Sequence, residues 1–353
     1  MGTAIFLGAG ASSAEGAPIQ SNLFRDYFKS LPRTPPVREM DRELATFFDS
    51  MFGIDVDERD KLDQVSFPTF EEALGILDLA ERRKEALKEF DLDNMARNSN
   101  RIRFIRQYLV MLMAKIVHDK LLSSGDKHQK LVRRILKAKR IKETVFVSTN
   151  YDILIDNALT ALYSDGILLD YGVDFTNFDK SDDWQRPKDP AVRLFKLHGS
   201  LNWLYCPTCN TLTLTPKDKG IIRLLTDFSK SACSSCESVI VPIVVPPTYY
   251  KDMSNVFLSL VWHKTEQALR KVDRILFCGY SFPDADIHIK YLIKRIQTNR
   301  DGRLKISVFN NHPGKDPRLA KEEELRYKRF LGAQVEYTDK SFDDLVKDPV
   351  RYM

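Results

Sequence analysis

A glycine turn near the amino terminus is the first segment of the chain whose residue types could do chemistry. Gly8 and Gly10 follow the apolar run Thr3–Leu7 and precede a stretch that could begin a helix. Glycines let a backbone approach a diphosphate closely, and the N–H groups at the start of a helix attract its charge. The third glycine of the usual dinucleotide fingerprint is replaced by Ser13, so an ordinary tight turn is the alternative.

Two further segments carry polar side chains directly after predicted strands. Asn150 and Asp152 follow the β-branched run Thr144–Ser148, and His198 follows the apolar run 194–197. Above the carboxyl ends of a parallel sheet, such side chains can hold a ribose and place a base that titrates near neutral pH. Taken singly, His198 is more typical of a hydrogen-bonded structural histidine than of a catalyst, and the other two could cap the next helix. Their combination beside a phosphate-binding turn favours chemistry.

Four of the five cysteines form two pairs with the spacing of metal ligands. Cys206 and Cys209 make one C-x-x-C pair, and Cys233 and Cys236 make another after 23 intervening residues. Four thiolates complete a tetrahedral zinc shell and leave no position for water, so the pattern predicts a structural zinc. Reduced thiols without metal are the alternative, and a redox dithiol is a weaker one. Cys278, at the end of an apolar run, is expected in the core.

The elements that must position these residues alternate between strands and helices. This order predicts an α/β fold with a Rossmann-like, mostly parallel sheet, a small four-cysteine zinc-ribbon module and a large helical insertion. Ligands of such sheets bind beyond the carboxyl ends of the strands. We expect a catalytic domain formed by residues 1–22 and 141–353, a helical insertion at 23–140, and the zinc-ribbon module at 203–240.

The insertion has apolar residues at the helical period. This period predicts helices at 41–52, 70–90, 102–122 and 129–139. Thr69 followed by Glu72 predicts the amino-terminal cap of the second of these helices.

The composition excludes several classes of protein. Of the 353 residues, 43% are hydrophobic and 29% are charged, which is typical of a folded chain with a sizeable core. The formal net charge of +5 is too small at this length to indicate nucleic-acid binding. The longest apolar runs fall short of the roughly 18 residues that a membrane helix needs. We therefore expect a cytoplasmic protein without a membrane span or signal peptide.

Together these motifs resemble those of the sirtuin superfamily, in the family's order. The resemblance implies a Rossmann-like domain that cleaves the bond between nicotinamide and ribose in NAD. It implies that Asn150 and Asp152 contact that ribose and that His198 is the general base. The motifs are GAGAS at 8–12, GAP at 16–18, TNYD at 149–152, LHGS at 197–200, the two cysteine pairs, GYS at 279–281 and Asn310. The implied NAD contacts are Gly8, Ala9, Gly10, Ser12, Thr149, Gly279, Ser281 and Asn310.

The departures from the family pattern change the predicted reaction. Deacylating sirtuins carry Asp-Phe-Arg shortly after the glycine turn, whereas this chain has residues 19–21, Ile-Gln-Ser, there. The strand that clamps an acyl-lysine peptide is replaced by residues 244–251. The chain instead resembles the divergent sirtuin-like domains of bacterial antiphage systems, which implies an NAD hydrolase that releases nicotinamide and ADP-ribose. Protein deacylation and ADP-ribosyl transfer are the alternatives.

Partners are predicted on weaker grounds. A constitutive NAD hydrolase would poison its host, so we expect a homo-oligomer or an activating partner such as a HerA-type ATPase. A non-catalytic nucleotide sensor or nucleic-acid-binding subunit is a further alternative, because residues 127–142 hold eight cations and no acid. A solvated helix end explains the same charges.

Overall fold

The structure is a computed structural model in which two compact units can be described. It describes residues 2–18, 22–31, 39–85, 95–120, 125–176, 187, 191–215, 232–245 and 255–353. One unit, called the sheet unit below, is bounded by Met1–Ala17, Leu121–Val245 and Asp252–Met353. The other, the helical unit, is bounded by Pro18–Lys120 and Pro246–Lys251. The predicted segments at 19–21 and 246–251 lie outside the described residues.

The sheet unit is built on seven strands whose neighbours are all parallel. In spatial order they run β10-β9-β8-β1-β2-β4-β3. The prediction of a Rossmann-like, mostly parallel sheet is therefore confirmed. The strands of the described residues are β1 Thr3–Leu7, β2 Thr144–Ser148, β3 Leu168–Asp170, β4 Ala191–Lys196, β5 Gly199–Tyr205, β6 Leu212–Leu214, β7 Val241–Val244, β8 Arg274–Cys278, β9 Lys305–Phe309 and β10 Glu336–Tyr337.

The order of the strands fixes where a ligand can approach. From β1 the chain adds β2, β4 and β3 on one side and β8, β9 and β10 on the other. In open α/β sheets the crevice at such a reversal, beyond the strands' carboxyl ends, is the usual ligand site. Strands β1 and β2 are buried along their whole length, as expected of parallel strands covered on both faces. The turns after β1 and β8 therefore meet at the reversal.

The helices of the sheet unit cover this sheet. The helices of the described residues, in both units, are α1 Ala9–Ser13, α2 Leu23–Ser30, α3 Glu39–Phe52, α4 Phe70–Arg83, α5 Met95–Lys120, α6 Lys127–Lys137, α7 Leu154–Thr160, α8 Val256–Leu269, α9 Ile287–Thr298, α10 Pro317–Leu331 and α11 Phe342–Lys347. In the sheet unit, α6 packs against α7 and α11, and α8 packs against β2, β4 and α9. Short 3-10 turns lie at Arg59–Lys61, Ile141–Glu143, Ala161–Asp165 and Val350–Tyr352.

Helix α6 differs from its predicted place in the insertion. Its Leu131, Val132 and Ile135 are fully buried in the core of the sheet unit. At its start, Glu15 accepts hydrogen bonds from the backbone N–H of His128 at 2.7 Å and from the ring Nδ1 at 2.5 Å. The chain segments on either side of the insertion are thus joined within the sheet unit, and α6 follows that junction. The three predicted domain ranges themselves stay a prediction.

Three further strands form a separate antiparallel sheet in the order β6-β5-β7. Strand β5 starts at Gly199, which has a φ of +79°. A Cβ atom at this position would lie 2.0 Å from the carbonyl oxygen of Ile243, so only glycine allows β5 and β7 to approach this closely. The small sheet begins directly after His198 and leads to the first cysteine pair.

The helical unit has its own aromatic core. Phe24 contacts Phe48 with ring centroids 4.6 Å apart, and Phe28 contacts Phe48 at 5.2 Å. Helix α5 packs against α2, α3 and α4. The predicted cap is confirmed, because Thr69 and Glu72 form a capping box at the start of α4. Among the described residues, no helix is both long and apolar enough to cross a bilayer.

Candidate functional site

The glycine turn after β1 is fastened to the turn after β8. Gly8 donates its backbone N–H to the carbonyl oxygen of Cys278 at 2.9 Å, and Gly10 donates to Gly279 at 2.7 Å. The N–H of Ala11 is bonded back to Gly8 at 3.0 Å. Among the described backbone groups of this turn, only the N–H of Ala9 has no acceptor, and Ala9 is exposed. The turn therefore offers one free N–H at the crevice.

The close approach of the two turns explains their glycines. Gly279 has a φ of +63°, and a Cβ atom there would lie 2.0 Å from the backbone nitrogen of Ala11. A Cβ atom on Gly8 would lie 2.7 Å from the Cα of Tyr280. Any side chain at either position would push the turns apart. The structure thus gives Gly8 and Gly279 a packing reason besides any contact with a ligand.

Asn150 is fixed against the glycine turn by its amide nitrogen. Its Nδ2 donates to the carbonyl oxygen of Gly8 and to Oγ of Ser12, both at 2.8 Å. Ser12 in turn donates its hydroxyl proton to Oδ2 of Asp152 at 2.6 Å. Because the Gly8 carbonyl can only accept, the amide nitrogen must face it. The described residues give Oδ1 of Asn150 no donor, so this oxygen is left as an acceptor for a ligand.

These contacts determine what the neighbouring polar groups can do. The single hydroxyl proton of Ser12 is used on Asp152, so Ser12 supports Asn150 instead of donating from its side chain to a diphosphate. Asp152 is buried, and its Oδ1 accepts from the backbone N–H of Leu154 at 3.0 Å. Thr149 donates its backbone N–H to the carbonyl of Leu7 at 3.1 Å and is also buried. These two hydrogen bonds, from Ser12 and from Leu154, fix the position of the Asp152 carboxyl group next to the site.

A buried ion pair lies beneath this corner of the site. Lys196, at the end of β4, is fully buried, and its Nζ lies 3.1 Å from Oδ2 of the equally buried Asp156. The same ammonium donates to the carbonyl oxygen of Asp152. Tyr171 donates its hydroxyl to the other oxygen of Asp156 at 2.8 Å, and burial, together with the charge of Asp156, raises the pKa of Tyr171. The pair therefore joins β4 to the segment that carries Asn150 and Asp152.

His198 lies in the turn between β4 and β5, next to the end of β2. The backbone N–H of Leu197 donates to Ser148 at 2.9 Å, and the carbonyl of His198 accepts from Val245 at 2.9 Å. The His198 ring is buried and lies 6.4 Å from the ring of Tyr151, measured between centroids. The structure thus brings the two predicted strand-end segments side by side.

Asn310 is held on the opposite side of the glycine turn. Its Nδ2 donates to Oε1 of Glu323 at 2.6 Å. Lys315 donates to the carbonyl oxygen of Asn310 at 2.9 Å, to Oε2 of Glu323 at 3.0 Å and to the Tyr337 hydroxyl at 3.1 Å. A Cβ atom on Gly10 would lie 3.1 Å from Oδ1 of Asn310, which places this oxygen beside the turn. Oδ1 has no donor among the described residues.

Ser281 is placed apart from these contacts. It is exposed after β8, and its carbonyl oxygen accepts from Arg326 at 2.9 Å. In the part of the chain that the structure describes, its hydroxyl makes no contact with the glycine turn. The predicted phosphate contact of Ser281 stays a prediction.

The four cysteines lie close together on two turns of the same geometry. All four Sγ atoms lie within 4.8 Å of one another, with 3.5 Å between Cys206 and Cys236 and between Cys209 and Cys233. In each pair the first cysteine's carbonyl accepts at 2.9 Å from the residue after the second, Asn210 or Glu237, and that residue has a positive φ. A tetrahedral zinc with Zn–S bonds of about 2.3 Å needs sulfur atoms roughly 3.8 Å apart. The four thiols could therefore hold a metal ion.

The surroundings of one of these thiols, that of Cys233, favour its ionised form. A hydrogen bond from the Thr211 hydroxyl, 3.3 Å away, and one from the backbone N–H of Ser235 lower the pKa of Cys233 to about 6. Metal ligation requires the thiolate form, so this environment suits a ligand. Cys278 is fully buried in the core as predicted, and burial raises the pKa of its thiol.

The basic segment 127–142 is partly neutralised. Lys127 pairs with Asp343 at 2.7 Å, Lys130 with Asp126 at 2.7 Å, and Arg140 with Glu143 at 3.2 Å. Since α6 buries its apolar side, its other cations, Arg133, Arg134 and Lys137, lie on its exposed face. These pairs favour the solvated helix end over a nucleic-acid surface.

Comparison with known proteins identifies the family. The model of the SIR2-like domain matches residues 144–329, just over half of the 353 residues. The chain belongs to the SIR2-like domain family. Among solved structures, the chain is similar to a Sir2 homologue solved as an NAD complex (14% identity, 99% of this chain and 88% of that chain covered, TM-score 0.46). It is also similar to Sir2Tm bound to a propionylated peptide (12% identity, 99% and 92% covered, TM-score 0.42). No curated protein matches the chain.

The SIR2-like match confirms the predicted resemblance at the level of the family. The matched range begins at β2 and ends within α10, so the glycine turn at 8–12 lies outside it. The structure nevertheless brings Gly8 and Ser12 into hydrogen-bonding contact with Asn150.

Several residues that support this candidate site are not predicted by any sequence motif. They are Lys196, Asp156, Tyr171, Glu323, Lys315 and Tyr337. A signal existed for Lys196, because a lysine inside the apolar run before His198 must be paired if that run is a buried strand. No motif pointed to Glu323, which lies 13 residues beyond Asn310 on a helix.

Proposed function

We propose that the sheet unit binds NAD at the strand-order reversal and hydrolyses it to nicotinamide and ADP-ribose. The observation that carries the proposal is the pair of asparagine oxygens beside the glycine turn, one on Asn150 and one on Asn310. Each amide nitrogen is bonded to the protein, so each side presents an acceptor, which suits a hydroxyl group. NAD carries one ribose on either side of its diphosphate. Two acceptors that flank a phosphate-binding turn match that arrangement.

The residues divide the work along the dinucleotide. The free N–H of Ala9, between Gly8 and Gly10, faces the diphosphate. Oδ1 of Asn150 orients the nicotinamide-side ribose and the attacking water. Contacts from Ser281 and Asn310 hold the adenosine half, while Ser12, Thr149 and Gly279 hold the turn and the strand end in place.

The reaction replaces a C–N bond with a C–O bond. Water adds to the anomeric carbon of the ribose as nicotinamide leaves with the bonding electron pair, and His198 takes the proton that the water loses. General-base catalysis of this kind contributes roughly 10²- to 10⁴-fold in rate. The carboxylate of Asp152, buried beside Asn150, stabilises the positive charge that develops on the ribose.

Hydrolysis is favoured over deacylation by the sequence. Residues 19–21 and 244–251 depart from the deacylase pattern, and most of them lie outside the described residues. Water is then the nucleophile in place of an acyl oxygen. In the cell we propose an antiphage role in which NAD depletion arrests an infected host.

The deciding experiment follows nicotinamide release from NAD with and without an acylated peptide. Release without peptide is the expected result, and release that strictly requires the peptide would assign the chain to the deacylases. His198→Ala should abolish turnover and spare NAD binding, because a base acts mainly in the transition state. The matched control is His263→Ala, which removes an exposed histidine on α8 and should leave turnover unchanged. Equal rates in both variants would show that the active site lies elsewhere.

We propose that Cys206, Cys209, Cys233 and Cys236 bind one structural Zn²⁺. Support comes from the matching turns and the sulfur separations. Metal analysis of freshly purified protein should give close to one zinc per chain, and Cys206→Ser should lose it and unfold the small sheet. Cys278→Ala removes a buried thiol outside the cluster and should retain the metal. Folded protein without zinc would contradict the proposal.

We propose that hydrolysis is controlled by assembly, as a homo-oligomer or with an activating ATPase of the HerA type. Phe104, on α5 of the helical unit, has 54% of its surface exposed and so offers apolar surface that a second chain could cover. Light scattering should give a multiple of 40.7 kDa, and Phe104→Glu should lower it. A monomeric mass for the unmodified chain, with and without an ATPase present, would contradict the proposal.

A further inference from the structure

The carboxylate of Glu323 has every partner it needs inside the protein. It is buried, and its Oε1 accepts from Nδ2 of Asn310 at 2.6 Å and from the Tyr337 hydroxyl at 2.9 Å. Its Oε2 accepts from Lys315 at 3.0 Å. Burial and the charge of Glu323 raise the pKa of the Tyr337 hydroxyl. The carboxylate belongs to a network whose outward-facing member is Asn310.

An ionised carboxylate can only accept hydrogen bonds, so it dictates how the Asn310 amide is turned. The nitrogen must face Glu323, and Oδ1 is then directed to the side of Gly10. Reversing the amide would set two oxygens against each other at 2.6 Å, with the remaining N–H protons directed away from the carboxylate. Asn310 is therefore held as an acceptor.

Lys315 is saturated by the same network. An ammonium has three protons, and three acceptors surround Nζ: the Asn310 carbonyl, Glu323 and Tyr337. Its side chain is about nine-tenths buried. This cation has no proton left for a phosphate group on a ligand beside Asn310.

We propose that Glu323 is a specificity-determining positioning residue, which makes the site select an adenosine ribose with a free 2′-hydroxyl and reject one with a 2′-phosphate. The inference rests on the proposed binding of NAD. Oδ1 of Asn310 accepts a hydrogen bond from the hydroxyl, whereas a phosphate brings only further acceptors and negative charge towards it. The substrate class is thus NAD and excludes its 2′-phosphorylated form, NADP.

The test is Glu323→Gln, with NAD and NADP binding measured by calorimetric titration. The glutamine oxygen will stay towards the Lys315 ammonium, since two donors repel, and the new NH₂ group will face Asn310. Asn310 then turns its own oxygen inward and presents NH₂ to the ligand. The affinity ratio of NAD to NADP should fall at least tenfold. Glu324→Gln is the matched control, because it removes the next carboxylate on α10, which forms ion pairs with Lys321 and Lys328, and should leave the ratio within twofold.

A second variant keeps the inference testable if Glu323→Gln does not fold. Asn310→Leu removes the acceptor and leaves Glu323 bonded to Lys315 and Tyr337, and it should weaken NAD binding about tenfold with little change for NADP. Unchanged ratios in both variants would overturn the role of Glu323 while leaving NAD binding intact. An unmodified protein that binds neither dinucleotide overturns the proposed function itself, and one that binds both equally overturns only the specificity.

Discussion

Asn150 and Asn310 present the same atom to the crevice, but the two sides of the site hold them by different chemistry. Asn150 is held by neutral groups, the Gly8 carbonyl and the Ser12 hydroxyl, that belong to the glycine turn itself. Asn310 is held by a charged network centred on Glu323. In the proposed NAD site, the half with the nicotinamide-side ribose is therefore tied to the glycine turn, whereas the adenosine half has a support of its own. We therefore expect some substitutions to affect one half of the site without affecting the other.

The largest effect should come from the contact that both halves share. Gly279→Ala places a Cβ atom 2.0 Å from the backbone nitrogen of Ala11, so the turns after β1 and β8 must separate. We expect a loss of more than about 5 kcal/mol in the free energy of unfolding, and loss of NAD binding. Denaturant unfolding and calorimetric titration measure both.

The control for Gly279 is Gly302, which has a φ of +86° and open space around it. Gly302→Ala should cost only the strain of a left-handed residue, about 1–2 kcal/mol, with NAD binding unchanged. Equal losses at the two glycines would mean that the turns do not depend on their close approach.

The next largest effect is expected for the ion pair of Lys196 and Asp156, which lies beneath Asn150 and Asp152. Lys196→Met leaves the carboxylate of Asp156 buried without its cation, which should cost about 3–5 kcal/mol. The double variant Lys196→Met/Asp156→Asn removes the orphaned charge and keeps an acceptor for Tyr171, so it should recover at least half of that loss. Thermal unfolding of the three proteins measures this. A double variant no more stable than Lys196→Met would contradict the ion pair.

The recovered double variant also tests positioning. It lacks the ammonium that bonds the Asp152 carbonyl, so we expect faster amide exchange in residues 149–153 and slower nicotinamide release. The ratio of NAD to NADP affinity should stay at its original value, because Glu323 is untouched. A change in that ratio would show that the two halves of the proposed site depend on each other.

The smallest effect should come from Ser12→Ala. It removes the hydroxyl between Asn150 and Asp152, which should cost about 1–3 kcal/mol of stability. Asn150 gains rotational freedom, so turnover should fall about tenfold with NAD affinity nearly constant. Ser13→Ala, one residue along the same helix, is the control. If Ser12→Ala lowers NAD affinity and leaves turnover intact, the hydroxyl contacts the diphosphate as the sequence predicts.

The sequence predicts those parts of the fold and site whose pattern is local. Strands β1 and β2 are predicted to the residue, because short apolar runs between turns define buried strands. The cysteine cluster is predicted because each pair sits within four residues. The place of α6 is missed, since an amphipathic helix has the same period against a sheet or in a helical block.

The supports of the site are less accessible to sequence reasoning. Lys196 lies 40 residues from Asp156, and no sequence pattern around either residue predicts that the two form a pair. The use of the Ser12 proton on Asp152 depends on a contact across 140 residues. A motif identifies the group that faces a ligand, whereas the groups that orient it are chosen by the tertiary structure.

The bond between Glu15 and His128 has a consequence for how this architecture tolerates change. It closes the sheet unit near the two points where residues 18–120 leave it and return to it. The entropy lost in closing a loop rises only slowly with its length, by about 0.6 kcal/mol for each doubling. Because Glu15 and His128 are bonded at these points, the stability of the sheet unit should depend only weakly on the length of chain between them. We therefore expect residues 18–120 to tolerate changes in sequence and length while the residues around Asn150 keep their places.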